Sequence, residues 1–166
     1  AGGALQNADA ETLLAVFNQH VLAGQALLQA VLPNMRSRQW GRIVNIISTS
    51  VKEPIAMLGV SNTIRGAMAS WAKTLASELG GDGITVNNVL PGYTKTQRLE
   101  QILQERAASS GQSVEKIAEA MLASVPAKRF AQAQEIAHAV AFLCQPMSGY
   151  VNGINLPVDG GRTKSL

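Results

Sequence analysis

Three residues carry the first chemistry to be read in this chain. Ser48 closes a short apolar run, Arg42-Ile43-Val44-Asn45-Ile46-Ile47, and is followed by two more hydroxyls, Thr49 and Ser50. Ser61 stands thirteen residues further on, and Arg65 four beyond that. A hydroxyl both donates and accepts a hydrogen bond, and a guanidinium is an always-charged fork of donors. A guanidinium beside hydroxyls in one cleft could stabilise an oxyanion.

The elements that must position these residues follow from periodicity. The β-branched run before Ser48 fits a strand of a parallel sheet covered on both faces. In open α/β sheets, ligands bind at the carboxyl ends of such strands. A long Ala-rich helix is expected from about Asn62 to Leu79, with Trp71, Leu75 and Leu79 spaced for burial. Ser61 and Arg65, four apart, share one face of it. Gly80-Gly81-Asp82-Gly83 stops the helix, and Ile84-Thr85-Val86-Asn87-Asn88-Val89 is the next strand. Strand, helix and strand make a βαβ unit, which should cross over right-handed. Ser48, Ser61 and Arg65 are therefore expected to meet at one sheet edge.

With its flanks, this stretch resembles the active-site segment of the short-chain dehydrogenase/reductase family. There a catalytic Ser ends a strand, and Tyr-x-x-x-Lys follows thirteen residues later on a long helix. Gly41-Arg42-Ile43-Val44-Asn45-Ile46 and the run Arg65 to Leu79 match the flanking pattern. Ser61 stands at the Tyr position and Arg65 at the Lys position. Another register would place Val60 and Ile64 there; the Arg-Gly-Ala-Met run favours the first. The resemblance covers nearly all 166 residues. It implies the C-terminal part of a doubly wound, Rossmann-like α/β domain, with about three parallel strands flanked by helices.

The same resemblance reads the rest of the chain. Ala1-Gly2-Gly3-Ala4 is similar to the end of the family's fourth strand, and no Gly-x-x-x-Gly-x-Gly occurs. The chain therefore reads as a fragment lacking the dinucleotide-binding turn, and inactive alone. The other reading is a small α/β domain, whose three strands would leave an apolar edge open. Asp9 should cap a long helix running to about Arg36, ended or bent at Pro33. On that helix His20 falls where the family has a relay Asn, although a lone His on an apolar helix can simply be packed. Pro91-Gly92-Tyr93-Thr94-Lys95-Thr96 resembles the loop that holds the nicotinamide carboxamide, implicating Pro91, Gly92, Thr94 and Thr96; by itself Pro-Gly marks only a turn. Tyr93 is placed near that pocket. Residues 96–125 resemble the substrate lid, with helices Leu99–Ala108 and Val114–Leu122 and with Arg98, Arg106 and Lys116 solvated. A last helix spans Glu135–Leu143, with His138 on its surface or packed. Ile154 to Gly161 form the final strand, ending in the family's Val-Asp-Gly-Gly.

Composition bounds the alternatives. The chain is long enough for one domain, 46% hydrophobic, with a net charge of +3. Its basic residues are scattered, so nucleic acid is not expected; no metal site is expected either. No apolar run is long enough for a membrane span. The single cysteine, Cys144, rules out an internal disulfide, fits a reducing compartment such as the cytoplasm, and reads as a buried structural thiol.

In the family, Tyr protonates the substrate carbonyl while NAD or NADP delivers hydride; Lys lowers the Tyr pKa and holds the ribose. Ser is a far weaker acid than Tyr. One expectation is a carbonyl/alcohol oxidoreductase, 3-oxoacyl-carrier-protein-reductase-like, with Ser48, Ser61 and Arg65 at the carbonyl and His20 or Tyr93 supplying the proton. A second is a redox-inactive cofactor-binding homologue. A third, ranked last, is a halohydrin-dehalogenase-like lyase, because those relatives carry Arg at the Lys site but keep Tyr. The resemblance also implies a homodimer or homotetramer, formed through the two long helices.

Overall fold

The computed structural model describes residues 2–165. Its centre is a parallel sheet of three strands in the order β1-β2-β3: β1 (Gly41–Ile46), β2 (Ile84–Pro91) and β3 (Asn155–Val158). Every residue of β2 from Ile84 to Leu90 is buried, as a central strand covered on both faces must be. Gly41 pairs with Ile84 and Ile46 with Val89; on the other side Asn88 pairs with Asn155 and Pro91 with Val158.

Side-chain amides help to hold that register. Asn45 Nδ2 donates to Asn88 Oδ1 at 3.0 Å, and Asn88 Nδ2 donates to Asn155 Oδ1 at 2.8 Å. One relay therefore crosses all three strands. Asn87, buried on the other face, donates to Val151 O and accepts from Ile154 N. Buried amides are tolerated here because each is partnered.

Helices cover both faces. One layer holds α1 (Ala10–Phe17), a π-helical turn (Asn18–Leu22), α2 (Ala23–Ser37) and α3 (Gly59–Leu79). Its core joins Val21, Ile47, Val60, Ile64, Met68 and Leu90, then Leu28, Ala72, Leu79 and Val86 deeper in. On the opposite face α6 (Ala133–Cys144) sets Ile136 and Leu143 against Val89. Between β2 and α6, α4 (Gln97–Ser110) and α5 (Val114–Ala123) close a small separate core of Leu99, Leu103 and Met121 with Tyr93 and Phe130. Asp9 caps α1 as expected, accepting from Thr12 N at 2.6 Å.

Several boundaries differ from the sequence reading. The long helix runs to Ser37, within one residue of the expected Arg36, and Pro33 does not end it. Proline lacks only its own N–H, and Leu28, Leu32 and Met35 keep the helix packed on both sides of it. The helix instead departs from α geometry at Asn18–Leu22, the turn that carries His20. Helix α3 begins at Gly59, so Ser61 lies in its first turn. Strand β3 is shorter than Ile154–Gly161, because Ile154 N bonds to the Asn87 side chain and Asp159 turns the backbone away. Cys144 is exposed rather than buried. It follows Leu143, the fully buried residue of that helical turn, and so points about 100° away from it.

Gly2 and Gly3 form no strand beside β1. Gly3 makes one isolated parallel bridge to Leu58, with Gly3 N donating to Met57 O. Ala1, the first residue of the strand-end resemblance, lies outside the described residues. Among the described residues, no helix is long and apolar enough to cross a membrane, and no group of His, Cys, Asp and Glu could hold a metal ion.

Candidate active site

Ser48 stands just past the end of β1, in extended backbone, where Ile47 N still donates to Val89 O at 2.9 Å. Its Oγ accepts from Ser50 N at 3.1 Å and caps a short 3-10 turn, Thr49–Val51. The hydroxyl hydrogen is not used by that contact, so Ser48 can still donate to a carbonyl oxygen.

Arg65 comes to the same strand end from α3. Its Nη1 donates to Ile46 O at 3.4 Å, two residues before Ser48. Ile46 is the last residue of β1, so the guanidinium reaches the carboxyl end of that strand. Burial pulls its pKa down from the usual arginine value, yet an arginine stays protonated throughout the working range. Ser61 is half-buried one turn before it on the same helix face. Val60 and Ile64, the residues of the alternative register, are 5% and 3% exposed and sit in the core instead.

His20 approaches from the π-helical turn. Burial lowers its pKa, and the positive charge of Arg65 lowers it further. The imidazole is therefore neutral near pH 7, with one nitrogen able to donate and the other to accept. A π turn leaves its residues out of the regular α ladder, and such turns recur at functional sites.

The loop after β2 lies one strand over. Gly92 N donates to Val158 O at 2.9 Å, and a Cβ at Gly92 would stand 2.7 Å from Asp159 Cα. Glycine is thus needed for β2 to close against the end of β3. Thr94 Oγ1 donates to Gly92 O at 3.1 Å. Thr96 Oγ1 donates to Thr94 O and accepts from Leu99 N, so it caps α4. Each hydroxyl keeps acceptor capacity, which suits a carboxamide N–H. The residues present therefore fit a nicotinamide: hydroxyl acceptors on β2's loop, and a guanidinium fork beside β1 for ribose hydroxyls.

The family model described as Enoyl-(Acyl carrier protein) reductase matches residues 1–163. The chain belongs to the short-chain dehydrogenase/reductase family. Among curated short-chain reductases it is 30% identical over 168 aligned positions to the NADPH-dependent reductase BacG of Bacillus subtilis, covering 99% of this chain and 65% of that protein. It is 36% identical over 137 positions to the 3-oxoacyl-[acyl-carrier-protein] reductase FabG of Haemophilus influenzae, covering 81% and 51%. The solved structure of L-sorbose reductase from Gluconobacter frateurii, complexed with NADPH and L-sorbose, superposes with a TM-score of 0.92 at 29% identity, covering all of this chain and 64% of that one. The chain thus spans about half to two thirds of the length of these short-chain reductases.

One group at this edge of the sheet, Arg162, escaped the sequence reading. Arg162 Nη1 donates to Thr49 Oγ1 at 3.1 Å, and the Arg162 guanidinium lies 4.7 Å from the centre of the Tyr93 ring. Nothing local in the sequence links residues 113 apart. The only available signal was that Arg162 directly follows the Val-Asp-Gly-Gly ending.

Proposed function

We propose that this chain is the substrate-facing part of a carbonyl reductase that takes hydride from a nicotinamide dinucleotide, with NADPH favoured by the named dependence of BacG. The loop Pro91–Thr96 would hold the nicotinamide, which would supply hydride when bound. The chain's own residues orient the carbonyl and manage the proton. Ser48 donates to the carbonyl oxygen, Ser61 lies along the same face, and Arg65 stabilises the negative charge that develops there. His20 supplies or relays the proton, since Ser61 is too weak an acid to act alone. Residues 96–125 act as the lid over the substrate.

The observation that carries this reading is the Arg65 guanidinium beside the strand end that bears Ser48. The whole protein is read as a cytoplasmic homo-oligomer, and residues 1–166 alone as unable to hold the dinucleotide. The test is NADPH and NADH oxidation by the full-length protein over a panel of ketones, aldehydes and 3-oxoacyl thioesters. Saturable turnover of at least one carbonyl is expected. Tight dinucleotide binding without turnover of any carbonyl or alcohol would favour the second reading, a redox-inactive binding protein. That reading draws on Ser61, which offers no readily titrating proton where the family has Tyr.

A further inference from the structure

The tail after β3 builds a feature that carbonyl reduction as such does not require. Asp159 accepts from Gly161 N at 3.0 Å and from Thr163 N at 2.8 Å, which closes a turn. The tail then crosses toward the loop after β1, where Glu53 Oε1 accepts from Lys164 N at 2.5 Å and Ser165 N at 3.1 Å. This path lays Arg162 on the face of Tyr93, itself held edge-on by Phe130 with ring centroids 6.3 Å apart. With Nη1 tied to Thr49 as well, the guanidinium plane is fixed. A fixed planar fork is what recognition of a carboxylate or phosphate asks for.

The surroundings agree. Arg162 lines a cavity of about 390 Å³ together with Lys128, Lys164, Glu53, Ser124 and Pro126. Three cations face one carboxylate, and that carboxylate is already turned to two backbone N–H groups. Arg162 Nε is buried with no hydrogen-bond partner, as are Thr163 Oγ1 next to it and Ser50 Oγ next to Thr49. Leaving a guanidinium N–H unpaired costs roughly 1–3 kcal/mol, so the Arg162 orphan beside this cavity is a group that an anion's hydrogen bonds would compensate.

We infer that Arg162, with Lys128 and Lys164, holds an anionic group of the carbonyl substrate, a carboxylate or a phosphate. The inference rests on the reductase reading for where the carbonyl sits. Thr49 adjoins Ser48, with Cα atoms about 3.8 Å apart. The inference takes one substrate to span from the Arg162 fork to the Ser48 hydroxyl, and a keto acid and a keto phosphate are the probes of that span.

The test compares three matched ketones in the full-length protein: a keto acid, its methyl ester, and a keto phosphate. Wild type is expected to prefer an anionic ketone over the ester by about tenfold or more in kcat/KM, mostly through KM. Whichever of acid and phosphate is better names the source of the anion. Arg162→Met should abolish most of the preference, Arg162→Lys should restore only part, and Lys164→Met should weaken it should the Arg162 variants fail to fold. Equal use of acid, phosphate and ester by wild type would overturn the inference and leave carbonyl reduction intact. Titration with succinate and inorganic phosphate covers the case of no turnover at all. Saturable binding that Arg162→Met removes would sustain the anion site while the reductase reading fell; no binding of either would overturn the site.

Discussion

At the scale of single residues, the site is defined by what its neighbours do to His20 and Arg65. Burial and the Arg65 charge both depress the His20 pKa. Between the folded value and about pH 6.5 the unfolded chain binds more protons than the folded one, so stability rises with pH in that window. The contribution is complete above about pH 6.5 and is lost as pH falls through the folded value. His20→Asn should therefore flatten the acid side of a plot of Tm against pH; a slope equal to wild type would show that His20 is not the group responsible. Ser61 and Arg65 predict a gain rather than a loss. Ser61→Tyr combined with Arg65→Lys places a titratable acid beside a cation, and on the proposed function should raise kcat for carbonyl reduction by about 10²-fold. A fall in kcat would mean that the existing residues already contain the proton donor.

At the scale of elements, the strand ends are held by close backbone approaches. Gly83 adopts φ 71° after α3, and a Cβ there would collide with the carbonyl oxygen of Gln39. Gly83→Ala should cost about 1–3 kcal/mol from backbone strain, and more from the collision. Denaturant unfolding would report it as a lower midpoint at an unchanged m-value. An unchanged midpoint would mean that the turn before β2 relaxes freely. At the other end of the sheet, Glu135 shows how α6 is anchored. Its carboxylate takes paired hydrogen bonds from Arg129, both 2.7 Å, and another from Gln132 N, which together hold its pKa at about 2.

For the whole molecule, the helix layer leaves apolar surface uncovered. Leu27 is 68% exposed, and Leu14, Leu22 and Val31 are also exposed. A groove of about 500 Å³ runs between the two long helices, lined by Phe17, Val21, Ala67 and Trp71 among others. Such a surface fits self-association through these helices. Leu27→Glu in the full-length protein should shift the mass seen by light scattering toward the monomer at micromolar concentration. An unchanged mass would place the subunit contact elsewhere.

Local patterns set β1, α3 and β2, because a β-branched run, a helical period and a Gly-rich stop act over only a few residues. They also put Ser61 and Arg65 on one helix face, and the Asp9 cap where it is found. Other features were decided only by the fold. Helix α2 continues past Pro33 because its packed face outweighs one missing hydrogen bond. Cys144 is exposed because burial follows a residue's angle around the helix, and Leu143 takes the buried side. The π turn at His20 and the contact of Arg162 with Thr49 depend on how distant segments meet. A short sequence window encodes period and capping, but a contact 113 residues apart exists only once the tail has crossed the end of the sheet.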